Sequence, residues 1–535
     1  MNIPLTPIRF LRYAHQQFPG KTAVVCGDRR FTYAQFAERA SRLAGALRDV
    51  GVKAGDRVAF LGLNCHRLLE AYYGVPEAGA VLLPLNIRLA PQELAYILND
   101  AGVKVLFLEQ EFLSAVDSFR QIVPSVESFF LLDAAPPVPW LSSGNYEDIL
   151  SAATPYRADI MDFDEDSLAE LFYTSGTSAN PKGVMLTHRN IYLHALSVCV
   201  TFRTKADSVQ LHTIPLFHAN GWGTAHSITL VGGTHIMLQR FTCAEVFRLI
   251  ERERVDSLSL VPIMATALAN SPERQNYDLS SLQWISIGGA ASSPTLVQQV
   301  EEKLGCPCFS GYGLTETAPV LSTAMMKPQT QLEDDRRYVA QAMTGYAIPG
   351  AELRVADLND DDVPRDGKTM GEILARSDGV MQGYWQQPAA TAEALRGGWF
   401  HTGDMATINQ DGNLLIVDRR KDIIVSGGEN ISSLEVEKAL LAHPGVYEAA
   451  VIPIPDEKWG EAPKGLVVTK PGSSVTEAEL LEFCRSRIAH FKCPQSIDFL
   501  ESLPKTATGK VLKRRLREPY WSKQNHAQTE LTRHK

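Results

Sequence analysis

The sequence predicts an α/β protein, with a large N-terminal body of mixed and parallel sheets covered by helices and a β-rich subdomain, followed by a small α+β C-terminal domain. Three observations carry this. Helical and strand-like patterns alternate over the first 160 residues and again from Leu168 to about Val320, the βαβ rhythm of a mostly parallel sheet. From Glu352 to Val417 the character changes to short strands separated by Gly and Asp turns. Past the charged segment DRRKD (Asp418–Asp422) a compact α+β pattern runs to about Arg517.

The elements follow in order. Phe31–Val50 carries apolar residues at helical spacing, and turns at Gly51 and Gly55 lead into a strand at Val58–Leu63. Leu68–Gly79 reads as helix and Ala80–Leu85 as strand. Ala134–Gly144, rich in Pro and Ser, reads as a surface loop, and Met325–Tyr338 as polar and weakly patterned. The β-rich part has strands at Glu352–Val355, Gly371–Ala375 and Asn413–Val417. The last part has strands at Ala449–Ile454 and Gly465–Thr469 and helices at Leu434–Leu441 and Glu477–Ile488. The domains expected are 1–417, a linker at 418–421, and 422–535, with a polar, frayed tail.

Composition bounds the function. The 535 residues leave room for about three to five folding units. With 45% hydrophobic and 21% charged residues the chain buries a large core and is not disordered. A net charge of -9 argues against a surface built for nucleic acid. The one basic run, Lys510–Arg517, has no interleaved aromatics and reads as a solvated face. No signal peptide and no membrane span is expected. Of the eight cysteines only Cys306 and Cys308 are close, without the CxxC spacing of a zinc or redox site, so a reduced, cytoplasmic protein is expected.

Four segments carry chemistry. In LFYTSGTSANPKGV (Leu171–Val184) nearly every residue from Thr174 to Asn180 is small, and Thr174, Ser175, Thr177 and Ser178 bear hydroxyls around Gly176. Such a loop offers N–H and O–H donors to a polyanion, and Lys182 adds a point charge. It is not a Walker A loop, because no Gly-Lys-Ser/Thr ends it. GYGLTET (Gly311–Thr317) lacks the third glycine of a dinucleotide fingerprint, having Glu316 there. Its ring, Tyr312, could lie against a base, and Glu316 could hold Mg²⁺. GWFHTGD places Asp404 after a turn, where it could accept from ribose hydroxyls, and PKTATGK sets Lys510 on a short glycine turn. Singly, each has a plain alternative: a Ser/Thr-rich turn, a core aromatic, a turn acid, a solvated lysine.

Together, in this order, these blocks resemble the AMP-forming acyl-CoA synthetase family of acyl-adenylating enzymes, over about Phe10 to Arg517. The resemblance implies that Thr174–Lys182 holds the β- and γ-phosphates of ATP. It implies that Tyr312, flanked by Gly311, Gly313 and Leu314, stacks on adenine, with Gly289 and Ala290 on the other side. By the same resemblance Thr315 contacts the α-phosphate, Glu316 binds Mg²⁺, and Asp404 and Arg419 hold the ribose. Lys510 then bridges carboxylate and α-phosphate. Thr315, His218 and Lys510 are the expected catalytic residues, and His218, Asn220, Trp222, Gly288 and Gly313 the expected acyl pocket. Lys421 matches the hinge of a mobile C-terminal domain. Its rotation brings Ser426–Asn430, with Gly427, Gly428 and Glu429, to the path of CoA.

Two positions depart from the family pattern. Ala179 stands where the phosphate loop usually has glycine, which disfavours a left-handed backbone there. Gly313 stands where acetyl-CoA synthetases have a tryptophan that closes the pocket, which favours a medium-chain, branched or aromatic acid over acetate. The expected reaction is ATP + carboxylate + CoA → acyl-CoA + AMP + pyrophosphate. The alternatives are an adenylase that loads a carrier protein's phosphopantetheine and a non-catalytic nucleotide-binding protein of the same fold. A free-standing chain that ends shortly after Lys510 leans towards CoA. Retention of Glu316, Asp404, Arg419 and Lys510 together speaks against the non-catalytic protein.

Overall fold

A computed structural model describes residues 2–133, 138–141, 144–174, 180–327, 332–426, 429–456, 458–505 and 511–521. Contacts divide the chain into two units, one of Met1–Leu353 with Ala375–His401 and one of Arg354–Leu374 with Thr402–Lys535.

The first unit is built on two sheets. One runs in the order Tyr346–Ala347, Val320–Thr323, Cys308–Gly313, Trp284–Ile287, Ser257–Leu260, Val209–His212, Thr234–Met237, Thr22–Cys26, Arg29–Thr32. Its central pairs are parallel and its edges antiparallel. The other runs Gly383–Tyr384, Lys182–Thr187, Leu168–Thr174, Val81–Pro84, Arg57–Leu61, Val103–Leu108, Ser128–Leu131. Here too the βαβ strands are parallel, while Leu168–Thr174 and Lys182–Thr187 form an antiparallel hairpin. The largest core joins Val24 of the first sheet and Phe60, Phe107 and Phe172 of the second through two helices, Tyr33–Asp49 and His66–Glu77. All twelve residues of His66–Glu77 are buried, and its charged members are paired: Glu70 with Arg39, Glu77 with Arg12 and Arg67 with Asp133. Phe36 meets Tyr73 edge-on, with ring centroids 5.5 Å apart.

Two elements differ from expectation. The first long helix starts at Tyr33, because Phe31 belongs to the strand Arg29–Thr32 and Thr32 closes a capping box with Gln35. The polar stretch before Tyr338 contains a helix, Asp334–Gln341. It is tied to the helix Pro294–Leu304 through Glu301, which pairs with Arg337 and accepts from Gln341 Nε2 at 3.1 Å. Tertiary pairing, with no apolar stripe to signal it, makes that helix.

A four-stranded sheet, most of it in the second unit, runs Ala351–Ala356, Gly371–Ser377, Phe400–Ile408, Leu414–Arg419. A separate sheet runs Glu429–Ile431, Ile424–Ser426, Gly460–Thr469, Val446–Asp456, with Ser496–Phe499 parallel to Gly460–Thr469. The helix Ser433–Leu441 is capped by Ser432, whose hydroxyl accepts from Glu435 N at 3.1 Å. Thr476 and Glu479 form the capping box of Glu477–Arg485. Ile424, Val436, Leu440, Val467 and Leu480 form the core between these helices and the sheet.

Among the described residues no helix is long and apolar enough to cross a membrane, and no group of three or more His, Cys, Asp or Glu side chains could hold a metal ion. The eight cysteines are free thiols, and burial pushes Cys306 up to about 12.

Candidate active site

The segment expected to hold phosphates connects the two strands of a hairpin, in which Thr174 and Lys182 face each other in the antiparallel register. Ser175, Gly176, Thr177, Ser178 and Ala179 lie outside the described residues. The Lys182 ammonium sits 4.8 Å from the centre of the Tyr384 ring.

Tyr384 in turn donates its hydroxyl to Glu316 Oε1 at 3.0 Å. Glu316 lies in the turn Thr315–Thr317, where Thr317 Oγ1 donates to Leu314 O at 3.0 Å and also contacts Pro319 O. Met381 N–H donates to Glu316 O at 2.8 Å, so backbone and carboxylate of Glu316 are both held by the 381–384 segment. Thr315 is buried beside it, and Leu314 and Tyr312 are partly buried against the main core.

The adenine slot expected from the sequence rests on two neighbouring strand ends. Trp284–Ile287 pairs with Cys308–Gly313, with Ile287 opposite Ser310, which brings Gly288–Ala290 beside Gly311–Gly313. Approach is close: a Cβ on Gly288 would lie 3.0 Å from Gly311 O and 3.0 Å from the Trp222 ring, and Gly289 has φ +77°. A Cβ on Gly313 would lie 1.8 Å from Pro319 O. Glycine is therefore demanded at 313 by the backbone itself. Close packing of the backbone is thus a second reason for glycine at 313, beside the pocket space expected from the sequence.

The residues after His218 form a left-handed turn. Ala219, Asn220, Gly221, Trp222 and Gly223 have φ of 46°, 45°, 63°, 59° and 83°. For each non-glycine residue this conformation costs about 1–2 kcal/mol, so the surroundings must hold it. Asn220 Nδ2 donates to Glu170 Oε2 at 3.0 Å, and Asn220 Oδ1 accepts from Gly223 N at 2.8 Å. Thr224 Oγ1 donates to Gly221 O at 2.7 Å. Glu170, itself wholly buried, pairs with buried His226 at 2.6 Å. Asn220, expected in the acyl pocket, thus has its amide engaged in bracing the turn, while Trp222 reaches Gly288 and Gly289. His218 is partly buried at the entry of the turn, its N–H donating to Pro215 O at 3.0 Å.

The remaining residues expected in the site lie in the second unit. Asp404 and Arg419 face each other in the hairpin Phe400–Ile408 with Leu414–Arg419, and Arg419 Nε lies 3.0 Å from Asp404 Oδ1. The carboxylate is 6% exposed and the guanidinium 45%, a polar pair open to solvent on one side only. The chain then turns tightly, Asp422 and Ile423 N–H both donating to Arg419 O. Burial pulls the Lys421 ammonium down from its ordinary value. Arg517 donates to Lys421 O and pairs with Asp422 at 2.8 and 2.9 Å. Glu429 opposes Ser426 in the hairpin that carries Gly427 and Gly428, and Lys505 bridges to Val511 at the ends of the segment that carries Lys510. Gly427, Gly428 and Lys510 lie outside the described residues.

Sequence reasoning missed Glu170, His226 and Tyr384. The first two read as interior positions of a strand and an apolar helix. Tyr384 stands 68 residues from the carboxylate it contacts, with no local pattern to link them.

Comparison with known proteins bears on this geometry. The AMP-binding enzyme family matches residues 11–385, and the AMP-binding enzyme C-terminal domain matches 435–510. The peroxisomal butyrate–CoA ligase of Arabidopsis thaliana is 36% identical over 534 residues, 97% of this chain and 93% of that protein. 4-Hydroxybutyrate–CoA ligase 2 of Metallosphaera sedula is 37% identical over 529 residues, 97% of this chain and 95% of its own. The fold is similar to the crystal structure of the anthranilate CoA ligase AuaEII in complex with anthranoyl-AMP, with TM-score 0.85 and 26% identity over 97% of this chain and 98% of that one. Motifs, fold and relatives agree: the chain belongs to the AMP-binding enzymes, as a member of the AMP-forming acyl-CoA synthetase family.

Proposed function

We propose that this ATP-dependent acid–CoA ligase acts on a medium-chain, branched or aromatic carboxylic acid in preference to acetate. Carboxylate oxygen attacks the α-phosphorus of ATP, forming acyl-AMP and expelling pyrophosphate. The CoA thiolate then attacks the acyl carbonyl and AMP leaves. The first step brings anions together, so catalysis is mostly positioning and charge neutralisation. Thr174–Lys182 cradles the β- and γ-phosphates, Thr315 contacts the α-phosphate, and Tyr312 stacks on adenine opposite Gly289 and Ala290. Asp404 and Arg419 hold the ribose, Lys510 bridges the two reacting groups, and His218 gates the acyl carboxylate.

Glu316 suits Mg²⁺: a hard carboxylate donor, anchored through backbone and side chain beside threonine hydroxyls. When bound, that ion would supply positive charge at the phosphates. The second step uses the other unit. Lys421 is the hinge within 418–421, about which 422–535 turns relative to 1–417, and Gly427, Gly428 and Glu429 then line the thiol's path. The family matches stop at 385 and resume at 435, bracketing that segment.

The observation that carries this reading is the Lys182–Tyr384–Glu316 contact chain, which joins the end of the phosphate loop to the GYGLTET turn. Preference for an acid larger than acetate is supported by relatives named for butyrate, 4-hydroxybutyrate and anthranilate. A cytoplasmic location is supported by the free cysteines alone. The test is a carboxylate panel, including acetate, assayed for pyrophosphate release with CoA, with a phosphopantetheinyl carrier protein, and with neither. Acid-dependent pyrophosphate release and thioester formation with CoA are expected. Failure of every acid in the panel to support pyrophosphate release would overturn the ligase reading, and thioester with the carrier alone would change the acceptor.

A further inference from the structure

We propose that Tyr384 is a positioning residue for the metal–triphosphate site, setting the Glu316 carboxylate and the Lys182 ammonium with one side chain. This deepens the ligase reading above and rests on its assignment of Glu316 and Lys182 to the triphosphate.

The geometry is specific. Tyr384 stands on the short strand Gly383–Tyr384, antiparallel to Lys182–Thr187, with Tyr384 opposite Val184 and Gly383 opposite Met185. That register places its ring diagonally across from Lys182, at 4.8 Å from the ammonium. Its hydroxyl reaches the other way, to Glu316 Oε1 at 3.0 Å. The segment itself is held from several sides. Tyr384 N–H donates to Thr391 Oγ1 at 2.9 Å, Gln382 N–H to Met185 O at 3.0 Å, and Trp385 N–H to Gly183 O at 2.7 Å. The Trp385 indole donates to Asp100 O at 3.0 Å. A ring so fixed can orient what touches it.

A donor on one oxygen of Glu316 fixes the plane of the carboxylate, and a ring beneath the ammonium limits where Lys182 points. Anchored ligand orientation of this kind supports cation binding. Its loss should therefore appear as weaker Mg²⁺-dependent ATP binding, with the acid and CoA sites untouched.

The experiment measures ATP binding to the full chain by calorimetry across a Mg²⁺ titration, beside steady-state kinetics. Tyr384→Phe keeps the ring and loses only the donor. It should raise the Mg²⁺ concentration needed for tight ATP binding by about 10-fold, the scale of one hydrogen bond to a charged group. KM for acid and CoA should stay within about 2-fold, and the thermal unfolding midpoint should hold. Glu316→Gln should abolish most of the Mg²⁺ dependence, and adding Tyr384→Phe to it should cost nothing more, because the two act through one contact. Mg²⁺-dependent ATP binding in Tyr384→Phe equal to wild type, or additive effects in the double variant, would overturn the proposal. If no acid supports pyrophosphate release but Mg²⁺-dependent ATP binding still falls in Tyr384→Phe, the role of Tyr384 stands and the ligase reading alone fails.

Discussion

Two carboxylates of the first unit stand in opposite surroundings. Glu170 is wholly buried, and both of its oxygens are bonded, one to Asn220 and one to His226. Glu316 is only partly buried, on a turn beside the phosphate-loop hairpin, with a phenol on one oxygen. The first is scaffold: it holds five consecutive left-handed residues in place, and through them Trp222 against Gly288 and Gly289. The second lies on the turn proposed to take Mg²⁺ and is held there by Tyr384 and Met381. Full satisfaction in a dry interior gives rigidity, whereas a partly exposed carboxylate keeps contact with solvent. In the proposed site the acyl side is preset by packing, and the phosphate side by a few charges.

The comparison can be broken most sharply at Glu170. Glu170→Ala leaves His226 and Asn220 without their partner in the core and should cost about 3–5 kcal/mol of stability. Urea unfolding of wild type and variant measures it, and a loss below about 1 kcal/mol would show that the turn holds itself. On the phosphate side the cost should fall on rate rather than stability. Lys510→Ala should lower adenylation by about 10²–10³ with little change in unfolding midpoint. Unaffected ATP–pyrophosphate exchange in that variant would remove Lys510 from the first step.

Acid should find the buried side next. Burial lowers His188 to about 4 and His194 and His212 to about 3, so they stay neutral in the fold while the unfolded chain protonates them near 6.5. The unfolded state then binds more protons below 6.5, and stability is lost as pH falls from 6.5 towards 4. Glu109, raised to about 7 by burial, opposes this, because the folded chain takes up that proton first. Burial lowers His235 as well, so the histidines outnumber Glu109, and loss of stability as pH falls from 6.5 towards 4 is readable as a shift in urea midpoint.

Gly288→Ala tests where the two sides meet. Its Cβ would press on Gly311 O and on the Trp222 ring, each at 3.0 Å, an overpacking cost of about 1–3 kcal/mol. A raised KM for the acid is expected, and an unchanged one would take Trp222 out of the pocket wall. Ala179→Gly should do least, with ATP kinetics within about 2-fold of wild type, since a conformationally compatible exchange of this kind is worth about 0.4–1 kcal/mol. A larger effect would show that loop stiffness matters to the phosphate side.

Much of the frame was legible in the residues. The alternation of helix and strand over the first 320 residues reappears as two parallel-cored sheets, since periodicity reports which face is buried. Boundaries slipped where a local cap outweighed the pattern, as at Thr32, and the helix Asp334–Gln341 escaped because an ion pair to Glu301, rather than an apolar stripe, supports it. At Gly313 the structure adds what the sequence does not show: a side chain there would meet a backbone oxygen, Pro319 O.

The sequence by itself determined the family, and it proposed the residues for ATP, because both sit in short contiguous motifs prescribed by the chemistry of phosphates. Only the tertiary structure decided what holds them: Glu170 beneath a left-handed turn, Tyr384 between Lys182 and Glu316, Arg517 on the backbone of Lys421. These supports join residues 50, 68 and 96 positions apart in the chain. No local pattern marks such a pair, since their proximity is made by the packing of whole sheets and helices, and a contact between distant segments exists only once the fold has formed.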